Sequence, residues 1–126
     1  MLHPPIRVYA MPPPSNPAEP SLAVFPDSQA HAHPQWRRHL FSLRMPVAYR
    51  SFTAPGAAPE GSPLATDSAW LGPQASSRVL VIIAGTHGIE GFAGTAVICD
   101  LLTRLAREPL PDDLAVLCIH APVSYT

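Results

Sequence analysis

The chain has 126 residues, room for about one modest domain, and its 47% apolar and 13% charged content makes a buried core feasible. The net charge is −1, all eight basic residues are arginine and no basic face stands out, so neither nucleic acid nor an acidic membrane surface is an expected partner. No leader pattern opens the chain and no run approaches the roughly 18 apolar residues of a membrane span, so the expected compartment is the cytoplasm.

Residues 1–34 hold nine of the 17 prolines, as in Met11-Pro12-Pro13-Pro14. Proline fixes φ and removes an amide donor, so this stretch is read as an irregular, Pro-rich flexible arm, with residues 35–126 as the folded part. Linkers and polyproline II ligands both have such composition. His31 and His33 form an HxH pair in this arm, but a flexible scaffold with no third ligand nearby does not predict a metal site. A short helix is expected from Gln35 to Arg44, with Trp36, Leu40 and Leu43 on one side and Pro46 beyond its end. Residues 51–63 are rich in Ala, Gly, Pro and Ser and read as a loop. Leu64 to Leu71 partly alternates and reads as an edge strand.

The second half is more regular. Val79-Leu80-Val81-Ile82-Ile83-Ala84 is a continuous apolar run, the pattern of a strand buried on both faces of a parallel sheet. From about Gly91 to Arg107 a helical stripe of Val97, Ile98, Leu101 and Leu105 follows. Arg104 and Arg107 suit its C-terminal pole, and Pro109 and Pro111 stop it. Leu114 to Ile119 reads as a second buried strand, which makes residues 79–119 a βαβ unit. Cys99 and Cys118 lie in apolar stretches without paired spacing and read as buried free thiols.

Ligands of open parallel sheets bind beyond the carboxyl ends of the strands, where this unit carries Gly85-Thr86-His87-Gly88-Ile89-Glu90-Gly91-Phe92-Ala93-Gly94. The glycines recur every third residue, unlike G-x-G-x-x-G, and no G-K-[ST] follows, so a phosphate cradle is not indicated. His87 stands where a nucleophile elbow would place serine or cysteine. Metal chemistry remains: His87 and Glu90 at i and i+3 converge on one ion if the turn curls like a first helical turn, and zinc accepts both donor types. The plainer alternative is a solvated histidine and a glutamate stabilised at a helix N-terminus.

This long glycine-rich segment, with Gly61-Ser62-Pro63-Leu64-Ala65-Thr66-Asp67-Ser68-Ala69-Trp70-Leu71-Gly72 before it, resembles the DUF2817 family of bacterial proteins, relatives of the M14 zinc carboxypeptidases. The resemblance spans roughly residues 60–121. It implies part of an M14-like three-layer α/β/α sandwich with a mixed sheet. It also implies that His87 and Glu90 are two of three zinc ligands in an amide hydrolase acting on a peptide or acylated amino acid.

After Ile119-His120-Ala121 the family pattern continues with an Asn-Pro-x-Gly segment, a substrate-clamping arginine, the third zinc histidine and a general-base glutamate. This chain instead reads Pro122-Val123-Ser124-Tyr125-Thr126, so a truncated, weakly active or inactive form is expected. His120 ends the second strand and is a further ligand candidate, although the matching family histidine is not a zinc ligand. The competing expectation is a non-catalytic remnant or interaction module. Unpaired sheet edges predict self-association under either reading.

Overall fold

The computed structural model describes residues 25–58, 61, 63–86 and 90–121; most of the Pro-rich arm and His87 itself lie outside this set. Helix α1 (Gln29–Phe41) precedes strands β1 (Val47–Ala57), β2 (Pro63–Leu71) and β3 (Arg78–Ala84), then helix α2 (Glu90–Leu105) and strand β4 (Leu114–His120). The four strands form one mixed sheet in the order β1-β2-β4-β3. β2 is antiparallel to both neighbours, while β3 and β4 run parallel and complete the expected βαβ unit.

α1 begins at Gln29, before the expected arm ends, and contains Pro34. The Ser28 carbonyl receives the amides of His31 and Ala32 at 3.1 and 3.0 Å and starts the helix. Pro34 withholds one amide bond, at residue 30 in the first turn. Against that loss, Ala32, Trp36, Leu40 and Leu43 are all buried. Fully burying one large apolar side chain contributes about 1.5–3 kcal/mol, so the packed face outweighs one missing bond.

The expected loop at 51–63 is also corrected. β1 extends to Ala57 and pairs with β2 from Val47↔Leu71 to Ala57↔Pro63, with an irregularity between Thr53 and Ala57. Its loop-like composition reflects an exposed edge strand, where Pro55 and the left-handed Gly56 (φ 95°) are tolerated. β2, expected at an edge, lies inside the sheet between β1 and β4.

β3 reverses the expectation of two-sided burial. It is the other edge, and Val79, Leu80, Val81 and Ile83 are 44–60% exposed. The core takes only one side of the sheet: Ala69 and Leu71 of β2, Val116 and Cys118 of β4 and Ala84 of β3 pack with Trp36 and Leu40 of α1 and with Ile98, Cys99 and Leu102 of α2. The described residues thus build two layers of the mixed α/β architecture, with both helices on one face. On α2 the buried stripe is Gly91, Thr95, Ile98, Cys99 and Leu102, while the expected Val97 is exposed. Cys99 and Cys118 are buried free thiols, and burial raises them to about 11 and about 12. No described helix is long and apolar enough to cross a membrane.

Candidate metal centre

Two polar regions meet at the carboxyl end of the parallel strands. The first is the turn between β3 and α2. Gly85 is left-handed (φ 73°), which a side chain disfavours. A methyl there would lie 2.9 Å from His120 Nε2 and 3.2 Å from Thr95 Oγ1, so His120 and Thr95 form the floor beneath the turn. A methyl on Gly91 would meet the Thr86 carbonyl oxygen at 2.8 Å, and one on Gly94 would meet the Gly85 nitrogen at 3.0 Å. The first turn of α2 can therefore rest directly on the Gly85–Thr86 backbone. That packing fixes where Glu90 begins the helix, with its side chain exposed. His87 is outside the described residues, so its convergence with Glu90 rests on sequence spacing.

The second region is a row across the sheet. Ser51 of β1 registers with Asp67 of β2, Asp67 with His120 of β4, and His120 with Ala84 of β3. α1 lowers His33 onto this row. Asp67 and His120 are both 0% exposed. The Asp67 carboxylate accepts from Ser51 Oγ at 2.6 Å, His33 Nδ1 at 3.1 Å, and Arg37 Nε and Nη2 at 3.3 and 3.4 Å. Burial alone would raise this carboxyl, but the bonds from His33, Ser51 and Arg37, with the arginine charge, hold it far below the usual carboxylate range.

His120 Nε2 pairs with Thr95 Oγ1 at 2.9 Å, and that hydroxyl donates to the Gly91 carbonyl at 3.2 Å. The ring stacks on Trp36 (centroids 5.3 Å, interplanar angle 13°) and meets His33 edge-on at 5.0 Å. Burial, reinforced by the charge of His33, pulls the His120 pKa from 6.5 to about 4. Beyond His120, Ala121 takes a left-handed conformation (φ 55°). Its amide donates to the Ala84 carbonyl at 2.8 Å, and its carbonyl accepts from Thr66 Oγ1 at 2.9 Å.

Two imidazole nitrogens here are buried without a partner, His33 Nε2 and His120 Nδ1. His33, Asp67 and His120 each offer a ligand atom, and these atoms lie within 4.8 Å of one another, a donor set of the kind that holds a metal ion. The expectation that His33 lacks a third ligand is therefore corrected. The HxH spacing misled because α1 is helical: residues two apart point to different sides, so His31 pairs with Asp27 on the exposed surface while His33 turns inward. Asp67 was missed altogether. Its signal was an acid within the otherwise uncharged strand Leu64–Leu71, and that of His33 was its position one helical turn before Trp36.

No curated protein matches the chain. Among solved structures it is similar to a glutaminyl cyclase of Porphyromonas gingivalis, with 17% identity, TM-score 0.47, and coverage of 78% of this chain and 38% of that one. It is also similar to a Zn-dependent exopeptidase of Parabacteroides distasonis, with 15% identity, TM-score 0.48, and coverage of 82% and 45%. The chain thus spans less than half the length of either structure. Residues 43–125, which include the glycine turn, Asp67 and His120, match the family model described as a protein of unknown function, DUF2817. That match covers more than half of the sequence, and the chain belongs to the DUF2817 family.

Proposed function

We propose that this chain carries the first part of a zinc-dependent amide-hydrolase centre of the metallopeptidase kind, with His87 and Glu90 as two zinc ligands. The observation that carries the reading is the turn's construction. Gly85, Gly91 and Gly94 let α2 start directly against the carboxyl end of β3, and Glu90 opens that helix with an exposed carboxylate. The donor set fits zinc, which accepts imidazole nitrogen and carboxylate oxygen. When bound, zinc supplies Lewis-acid polarisation of a carbonyl and a more acidic water. The chain's own residues position the site: His120 and Thr95 support Gly85 from below, and the helix fixes Glu90.

The substrate class in this reading is a peptide or an acylated amino acid, and the compartment is the reducing cytoplasm, consistent with two free thiols. Catalytic zinc sites use three protein ligands, and the property to assay for the two proposed here is zinc capture. Equilibrium dialysis should show zinc bound by the wild-type chain and one equivalent lost in His87→Ala and in Glu90→Ala. Uptake unchanged by both substitutions would sink the proposal.

A second reading, a non-catalytic interaction module, is favoured by β3, whose apolar side chains are exposed and whose outer edge is unpaired among the described residues. Self-association along that edge is expected under both readings, so the discriminating result is a well-folded, soluble monomer that holds no metal, which would favour this one.

A further inference from the structure

We infer that the chain has a second metal site, separate from the His87–Glu90 turn: a buried centre for a divalent transition-metal ion formed by His33, Asp67 and His120. Their ligand atoms lie within 4.8 Å of one another, and the three residues come from α1, β2 and β4, elements already locked together by the core.

The hydrogen bonds prepare His120 for an ion. Asp67 accepts from His33 Nδ1 at 3.1 Å in the metal-free chain, and an ion held between them would replace that hydrogen, with the ring proton moving to Nε2. The Thr95 hydroxyl gives its hydrogen to the Gly91 carbonyl, so His120 Nε2–H donates to Thr95 Oγ1 and the lone pair falls on Nδ1. That His120 nitrogen is buried without a partner. An unpaired buried acceptor carries a desolvation penalty, and an ion on that nitrogen removes it. Orientation of a metal-binding histidine by a hydrogen bond from its other nitrogen, as His120 makes to Thr95, recurs at such sites.

Two neutral imidazoles and one carboxylate favour zinc, cobalt or nickel over calcium and magnesium, which prefer oxygen ligands. Arg37 does not close the site. Its bonds to Asp67 are long, at 3.3 and 3.4 Å, and its side chain is 41% exposed, so the guanidinium can withdraw into water as an ion takes the carboxylate.

The test uses the full chain with His87→Ala and Glu90→Ala combined, dialysed free of metal. Equilibrium dialysis with elemental analysis should show one zinc per chain retained. Adding His33→Asn or His120→Asn should weaken that binding at least tenfold. Because these variants remove buried groups and can misfold, a second readout leaves the cluster intact. The chain has two tryptophans, and Trp70→Phe leaves Trp36, which stacks 5.3 Å from His120, as the sole indole. In the His87→Ala, Glu90→Ala, Trp70→Phe chain, one equivalent of Co2+ should quench Trp36 fluorescence, and a chelator should restore it. No zinc uptake by the double variant, uptake indifferent to His33→Asn and His120→Asn, or an unquenched Trp36 with Co2+ present overturns the inference. The two proposals separate cleanly. Zinc lost with His87 and Glu90 alone leaves the turn and removes the buried centre; zinc lost with His33 and His120 alone does the reverse.

Discussion

The two polar regions at the carboxyl end of the sheet are neighbours built in opposite ways. The Gly85–Glu90 turn is one continuous stretch of chain, shaped by glycines, with its carboxylate in solvent. The His33–Asp67–His120 cluster comes from three separate elements, and its members are buried. An exposed carboxylate at a helix start keeps its hydration and contributes little to the fold. A buried carboxylate has lost its water and must be satisfied by protein donors. Side-chain removal should therefore cost stability in the cluster and spare it at Glu90. The following outcomes probe that contrast.

The largest effect is expected at Asp67. Its carboxylate receives His33, Ser51 and Arg37 and ties α1 to both β1 and β2. Asp67→Ala strands a buried imidazole and a half-exposed guanidinium, and breaking such a buried pair costs about 3–5 kcal/mol. Asp67→Asn keeps an acceptor for His33 and should cost less. Urea denaturation followed by circular dichroism reads both. A loss below about 1 kcal/mol for Asp67→Ala would mean that the cluster does not hold α1 to the sheet.

The next effect is on pH dependence, measured on the chelator-treated chain. His120 faces His33, Trp36, Thr95 and Asp67, and its folded pKa is about 4 against an ordinary 6.5. Between those values the unfolded chain binds a proton that the folded chain does not. Stability therefore falls as pH drops from 6.5 to 4, by an amount on the order of 3 kcal/mol at 1.36 per pKa unit. Asp67 acts lower on the scale. Its depressed folded pKa gives stability that is complete above 3.8 and lost as pH falls further. Urea midpoints at pH 7, 5.5 and 4.5 should decline steadily, and His120→Asn should flatten the decline. A wild-type midpoint that does not move across this range would contradict the buried, neutral state of His120.

The same contrast explains what the sequence could reveal. The βαβ unit was legible because its signals are local: an apolar run, a glycine turn, a 3.6-residue stripe and a second run. The turn's candidate ligands came with it, since i and i+3 spacing is visible on paper. Strand position was not local. β3 has the most continuous apolar run, yet it lies at the edge, while β2, with an aspartate in its middle, lies inside. Burial of Asp67 depends on His33 and Arg37 arriving from α1, and the proline content of residues 1–34 argued against that helix. Pro34 sits inside α1 because one lost amide bond weighs less than the burial of Trp36 and Leu40, a balance that composition does not show.

A smaller effect is expected where the regions touch. Gly91→Ala removes the helix penalty of glycine, a gain of about 1 kcal/mol. The new methyl would meet the Thr86 carbonyl oxygen at 2.8 Å and the Gly85 carbonyl carbon at 2.9 Å, both rigid backbone. Overpacking of this kind costs about 1–3 kcal/mol, so the net change should be a modest loss, near 1 kcal/mol. The sign decides the matter. A stabilised Gly91→Ala chain would show that the turn yields easily and that α2 does not fix it. If His87 and Glu90 hold zinc as proposed, a destabilised one should also bind it more weakly, because the helix start moves away from the turn.

The smallest expected stability change, and the most selective one, is that of Glu90→Gln. The side chain is exposed in the first turn of α2, where a negative charge interacts favourably with the helix dipole. Losing that charge should cost about 0.3–1 kcal/mol, several-fold less than Asp67→Ala. If Glu90 is a zinc ligand, the same substitution replaces an anionic oxygen donor with a neutral amide and should release the zinc held with His87. Thermal unfolding with and without zinc separates the two roles. The metal-free transition should shift by only a few degrees, and the stabilisation by zinc through that site should vanish. A chain that loses stability but keeps its zinc would reduce Glu90 to a helix-start residue and leave the buried cluster as the candidate metal site of the chain.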